Sequence, residues 1–400
     1  MSHCARNARF GQIADEVVFY DPATGDVTVP ATPNPIPEPA IDERRRVKFS
    51  HDPKAAAAQC GVPRISWKDV ERVSFAQIDA FQKQHSLEKL LTGNAKTVKP
   101  RAATGRTGQI AGMNLSPHYY PDLLNIIPTN AKGALDFIPT NEFQAFSGDT
   151  TESALRVVNG PGAKQQLDKN DLLTFCAGSS RACRATCLVS TGQHAAGETH
   201  GYAKMRATYA FLLDPVTFVA ALNHQLKLFA CECQNEGKDA VVRLNMLSDL
   251  PWYEICPELL EAHEGSLAWY DYSKLPFWRS ESYNRLWRGR GKSKRNILDL
   301  TFSFSGSNAK ECAEALGLGY RVAAVFASTN LERKGILGPQ RTSFQEILQS
   351  GLVGPDGRIE LFGGRWLLVD GDNSDYRIDD PGYGPGTGEG CVVALNFKAS

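Results

Sequence analysis

From residue 171 to the C-terminus, short apolar runs alternate with helical patterns, and this alternation constrains the fold more than any other property of the chain. The strand candidates are 172–175, 240–247, 267–272, 297–304, 321–327, 366–370 and 391–397. Helical patterns fall between them at 202–213, 215–233, 252–263, 309–316 and 343–350. Asp214 followed by Pro215 reads as an N-cap with proline at the first helical position. Repeated strand–helix alternation implies parallel strands joined by right-handed crossovers. The predicted fold class is α/β: a (β/α) barrel, complete or partial, with an irregular N-terminal extension. A doubly wound open sheet is the alternative. The chain has no internal repeat.

Three regions follow from the pattern. Residues 1–62 read as an irregular Pro-rich arm with one strand at 16–20, because 29–40 carries five prolines that withhold backbone donors. Residues 63–165 read as a helix followed by loops. The helix starts near Ser66, with Asp69 placed to reach back as a capping box, and Phe75, Ile78 and Phe81 mark its apolar face. The Gly- and Lys-rich 91–98 lacks a complete phosphate-loop signature and reads as a solvated linker. Residues 166–400 form the expected catalytic barrel.

Lys+Arg and Asp+Glu balance at 44 each, so a nucleic-acid partner would need a local basic patch. No apolar run approaches the roughly 20 residues that cross a bilayer, and the N-terminus lacks a signal-peptide core. The expectation is a cytoplasmic protein with no membrane partner. Its ten cysteines then read as thiols or metal ligands.

Four stretches and one short turn carry candidate chemistry. Cys176, Cys183 and Cys187 follow the first strand, with His194 close behind. Thiolates are soft ligands, so this set suits zinc or a [4Fe-4S] cluster, and packed thiols are the alternative. Asp249 and Asp271 fall at the ends of neighbouring strands, in RLNMLSD and WYDYSK. Two carboxylates so placed can divide the roles of nucleophile and acid/base, with Lys274 tuning Asp271; helix caps or structural ion pairs are the alternative. Asn245, Ser248 and Tyr270 flank them as candidate substrate contacts. Asp372, Asp375 and Arg377 lie in VDGDNSDYR, read as a substrate loop or an Asp-held turn. Ser305 and Asn308 lie in a strand-to-helix turn able to face an anion. The basic segment 277–296 interleaves Arg279, Arg285, Arg288, Arg290, Lys292, Lys294 and Arg295 with Trp278 and Trp287. Cations suit phosphates and aromatics suit splayed bases, which points to DNA, double- or single-stranded.

Taken together, LTGNAKTVK, the three cysteines, RLNMLSDLPW, WYDYSK, LTFSFS and VDGDNSDYR resemble the gene-product-88 family of actinobacteriophages and prophages, from about residue 91 onward. The resemblance implies a phage-type protein of the host cytoplasm. A weaker resemblance, in layout, is to phage DNA-modifying enzymes of the tRNA-guanine transglycosylase superfamily. It implies a barrel, an aspartate nucleophile, an aspartate acid/base, a structural zinc and a 7-deazaguanine base exchanged into DNA. That superfamily's late zinc pattern is missing here. Cysteines after an early strand are instead similar in placement to radical S-adenosylmethionine enzymes, whose cysteine spacing also differs. Three functions therefore stand as expectations: guanine-to-7-deazaguanine exchange on DNA, iron–sulfur radical chemistry with S-adenosylmethionine, and non-catalytic DNA binding by a zinc-stapled protein.

Overall fold

The computed structural model describes residues 52–115 (less 61, 86, 88 and 94–103) and 198–396 (less 290–293, 307, 329–339, 342–343, 350–352, 374–376, 383 and 387), with 173–176, 178 and four short strand pieces before 50 and one at 118–119. Ten strands matter for the site: β1 (Val17–Tyr20), β2 (Leu91–Gly93), β3 (Gly108–Met113), β4 (Asp239–Arg243), β5 (Ala268–Ser273), β6 (Leu298–Ser303), β7 (Arg321–Ser328), β8 (Arg358–Leu361), β9 (Gly364–Asp370) and β10 (Cys391–Asn396). Nine of them form one path in the order β8-β9-β10-β7-β6-β5-β4-β3-β2. Pairing is parallel from β3 through β9 and antiparallel only at the two ends, β2 with β3 and β8 with β9. The strand at 17–20 joins this sheet, with β1 running parallel to β7.

The fold is thus mixed α/β with a largely parallel sheet. Strands β3 to β7 follow one another in chain order across it, as in a barrel. After β7 the order reverses, because β10 inserts between β7 and β9. Among the described residues the two ends of the path do not pair.

Parallel strands covered on both faces read as nearly unbroken apolar runs, and DAVVR, RVAAVFAS and CVVALN do so. One face carries Val242, Trp269, Leu300, Phe302, Val322 and Val392 into the main core. The other carries Val241 and Tyr270 against Ile110 and Ile378, and Ala323 against Val393. Helices fill the first face. The longest among the described residues, α2 (Pro215–Asn235), follows α1 (Glu198–Leu213) and buries Phe218, Leu222, Leu226 and Phe229. Asp214 caps α2 as the sequence predicts, accepting the Thr217 N–H at 3.0 Å. No helix among the described residues is long and apolar enough to cross a membrane.

Several expectations are corrected. The strand at 172–175 shrinks to Leu173–Thr174 and pairs antiparallel with His118–Tyr119, outside the sheet. Its continuation is drawn away because the Phe175 carbonyl takes the Asp249 N–H at 2.8 Å. The strand at 240–247 stops at Arg243, where the chain turns under Asn245. The helix at 252–263 breaks into Trp252–Ile255 and Pro257–Glu261, since Pro257 lacks an N–H and Cys256 leaves the helical region. The capping box at Ser66 does not form; Asp69 bonds Arg72 instead. Residues 91–93, read as linker, form β2, and β3 was not foreseen. Both pair into the same sheet as residues beyond 166.

Candidate functional site at the carboxyl ends of the strands

In a parallel sheet the side chains that follow the strands gather at its carboxyl edge. Here β4 ends at Arg243 and diverges from β5, so that the Asn245 N–H loses its ladder partner. Asp271, on β5, fills that wedge. Its Oδ2 accepts the Asn245 N–H at 2.6 Å, and its Oδ1 accepts the Tyr272 N–H at 3.0 Å and Arg243 Nε–H at 3.1 Å. The Arg243 guanidinium also lies over the Tyr272 ring, 4.8 Å from its centroid. Burial nevertheless outweighs these donors and pushes the Asp271 carboxyl up to about 6.

The turn that follows β4 places the second carboxylate. Asn245 closes it: Oδ1 accepts from Ser248 Oγ–H at 2.9 Å and the Leu250 N–H at 3.0 Å, and Nδ2 donates to the Leu250 carbonyl at 2.9 Å. Asp249 is thereby aimed at the end of β5, where its Oδ2 accepts the Lys274 N–H at 2.8 Å. Burial raises the Asp249 carboxyl, and the Ser273 hydroxyl, the Lys274 amide and the Lys274 charge act against it. Asn245, Asp249, Tyr253, Asp271 and Ser273 line one cavity of about 10 Å³, room for roughly one water.

The cysteine stretch reaches the same place. The Asp249 N–H donates to the Phe175 carbonyl, and the Cys176 thiol donates to the Leu247 carbonyl at 3.7 Å. Gly178 follows, packed so closely on Lys274 that an added Cβ would sit 3.2 Å from the Lys274 Cβ. The structure therefore brings together Cys176, Asn245, Ser248, Asp249, Asp271 and Lys274. Cys183, Cys187 and His194 lie outside the described residues, and among those described no three His, Cys, Asp or Glu side chains gather as metal ligands.

Other candidates fall elsewhere. Tyr270 points to the opposite face from Asp271, packed on Ile110 and Val241. Ser305 and Asn308 follow β6 at the same edge, but the Asn308 amide holds its own turn, accepting the Ser305 N–H and donating to the Ser303 carbonyl. Asp372 is exposed in a turn built on Asp370 Oδ1. This turn follows β9, four strands from β5, about 19 Å at ~4.8 Å per strand. Arg377 is buried and paired with Asp380 at 2.8 Å, and Asp375 lies outside the described residues.

Two cations of the basic segment, Arg279 and Arg288, are neutralised by partners distant in sequence. Arg279 pairs with Glu314, and Arg288 pairs with Glu261 at 2.9 Å and Glu264 at 3.2 Å. Trp278 is a core residue rather than a stacking platform: it is buried against Phe302 and Tyr320, with its indole N–H on Glu314. What remains is a two-stranded ribbon, Trp287–Arg288 against Arg295–Asn296. Lys294 lies over the Trp287 ring at 4.7 Å, and Arg285 keeps only a loose contact with Glu281 at 3.7 Å. Arg290 and Lys292 lie outside the described residues. The ribbon immediately precedes β6, so it sits at the amino edge, a strand length from Asp249 and Asp271.

Sequence reasoning missed Arg243 as the partner of Asp271, and Ser273 and Tyr253 beside Asp249. An arginine ending the apolar run DAVVR was the one available signal.

No curated protein and no solved structure matches the chain. A family model described as gene product 88 matches residues 148–395, well over half the chain and all of the site described above. The chain belongs to the gene product 88 family.

Proposed function

We propose that this protein is a nucleic-acid-modifying enzyme whose reaction centre is the Asp249–Asp271 pair at the carboxyl edge of the sheet. The observation that carries the reading is the meeting of two buried carboxylates, both raised by burial, on one cavity, one from β5 and one from the turn after β4. The favoured reaction is exchange of guanine in DNA for a 7-deazaguanine. An Asp249 carboxylate oxygen attacks the anomeric carbon, the glycosidic bond breaks, and the departing guanine takes a proton at the nitrogen that held the sugar. The incoming base then displaces Asp249 and gives up its proton. Asp271, held by three donors, is the positioning and proton-balancing partner. The consecutive order of β3 to β7 supports a partial (β/α) barrel as the frame. The Trp287–Asn296 ribbon at the opposite edge serves as a tether to DNA. Asp249→Asn should abolish exchange of labelled guanine out of DNA while the protein stays folded; full exchange by that variant removes the assignment.

A second reading rests on Cys176, whose thiol donates to the Leu247 carbonyl two residues before Asp249. In it Cys176, Cys183, Cys187 and His194 hold zinc or an iron–sulfur cluster over the strand ends, with S-adenosylmethionine as co-substrate in the iron case. Metal analysis of anaerobically purified protein tests it: stoichiometric iron or zinc that falls in Cys176→Ser supports the reading, and a metal-free wild-type protein ends it.

A further inference from the structure

Arg243 ends β4 at the carboxyl edge of the sheet, and its guanidinium is fixed on two sides. Nε–H donates to Asp271 Oδ1 at 3.1 Å, and the Tyr272 ring lies against one face, its centroid 4.8 Å from the guanidinium carbon. That ring is itself backed by apolar neighbours, Ile110 and Val241 on one side and Ala323 and Val393 on the other. Neither the ion pair nor the stacking uses the outer edge of the fork. A guanidinium carries five N–H donors, and among the described residues no acceptor meets Nη1 or Nη2, which leaves four of the five for another partner. The side chain is 17% exposed and neither terminal nitrogen is closed off in the interior, so that edge can be reached.

Arg321, on β7, shows how a structural arginine is used in the same sheet. It is fully buried and both of its terminal nitrogens donate, Nη1 to the Arg377 and Asp380 carbonyls and Nη2 to Asp299. Arg243 is the reverse. A counter-ion alone would meet the Asp271 carboxylate with paired donors, yet Asp271 Oδ2 is spent on the Asn245 N–H and a single Nε contact holds the arginine. A guanidinium pinned at Nε and along one face, with paired donors turned outward, matches two oxygens of a phosphate or carboxylate. Asp271 also lines the cavity it shares with Asp249, so an anion on Arg243 is held beside the reaction centre.

We propose that the outer edge of Arg243 is the receptor for a phosphate group of the substrate. Paired donors suit a carboxylate as well, and the choice of phosphate rests on the nucleic-acid reading above. Two sources carry the group: the monoester of a mononucleotide and the diester linkage of a strand. Asp271 then has a second task, which is to hold the arginine in place for the phosphate.

The test varies the ligand and leaves the wild-type chain intact. Calorimetric titration of the full chain compares deoxyguanosine 5′-phosphate with deoxyguanosine, and the strand d(TGT) with the same strand whose linkages are neutral methylphosphonates. In at least one pair the charged member should bind about tenfold tighter or more, the gain expected of hydrogen bonds between charged groups. A preference in the first pair assigns a mononucleotide, and one in the second a strand. Arg243→Met combined with Asp271→Asn removes both charges and leaves neither unpaired, so this variant should keep a urea midpoint near that of wild type and lose the preference. Arg243→Gln, which retains a donor for Asp271, is the second variant and should lose it too. No preference in either pair overturns the proposal. So does a preference that survives in a folded variant, since the phosphate is then held elsewhere. Base exchange by a wild-type protein without the preference removes the Arg243 site and keeps the reading above. A preference lost with Arg243, in a protein that exchanges no base, keeps the site and removes that reading.

Discussion

Replacing Asp271 by Asn should remove a pH-dependent loss of stability, and the structure sets the size of the effect. The carboxyl is 2% exposed and pushed up to about 6, with burial the largest cause and Arg243, Asn245 and Tyr272 opposing it. An unfolded Asp titrates near 3.9, so the gap is about two pH units, or about 3 kcal/mol. The sign follows from the raised value. The folded chain holds the proton more tightly than the unfolded chain. The stability this group contributes is therefore fully present below about pH 4 and lost as pH rises through about 6. The side-chain amide of Asp271→Asn cannot titrate and resembles the neutral carboxyl in shape. In the variant Arg243 loses its charge partner and one of the two accepting oxygens becomes a donor, a cost that does not depend on the Asp271 proton. Between pH 4 and pH 7.5 the stability difference should therefore shift by up to about 3 kcal/mol in favour of the variant. Urea unfolding at both pH values measures this, with unchanged m-values as the check that the denatured state is the same. Other raised acids, Asp249, Asp299 and Asp380, titrate in both proteins and drop out of the difference. A difference that ignores pH, or that shifts in favour of wild type as pH rises, would refute the reasoning.

Further predictions concern the turn and the ribbon. Asn245→Ala removes three hydrogen bonds from the turn that aims Asp249 and should cost about 2–3 kcal/mol by urea unfolding, whereas Ser248→Ala should cost about 1 or less. If the ribbon holds DNA, neutralising Arg285 and Lys294 together should lower the salt slope of binding by about 1.5–2. Neutralising Arg279 and Arg288 should leave that slope unchanged, because Glu314, Glu261 and Glu264 already hold them. Filter-binding or anisotropy titrations across salt distinguish the two sets.

Much of the sheet was legible in the sequence because parallel, doubly covered strands announce themselves as apolar runs. β5, β6, β7, β9 and β10 fall within about two residues of their predicted bounds. β3 escaped because GQIAGM carries two glycines and a single β-branched residue, although its burial is nearly continuous. Leu173–Thr174 misled because an apolar run before three cysteines looks like a sheet strand, while its fate was set by Asp249, far along the chain. Asp249 and Asp271 stood out as candidates because each is an acid beside an apolar run, although β4 stops at Arg243 and Asp271 lies within β5. Their environment was not legible, because Arg243 and Asp271 meet only through strand register. Part of the charge of 277–296 was illegible for the same reason: Glu261, Glu264 and Glu314, which pair with Arg279 and Arg288, come from other elements. Trp278 shows the limit most clearly, since a tryptophan in a basic stretch reads as a platform until its core neighbours are known.

The most direct test of the proposed activity is nucleoside mass spectrometry of DNA from cells that express the wild-type chain or its Asp249→Asn variant, together with a source of 7-deazaguanine base. The account predicts a modified deoxyguanosine in the wild-type sample alone, with equal amounts of soluble protein in both. Unmodified DNA in the wild-type sample, or the same modified nucleoside in both, would contradict it.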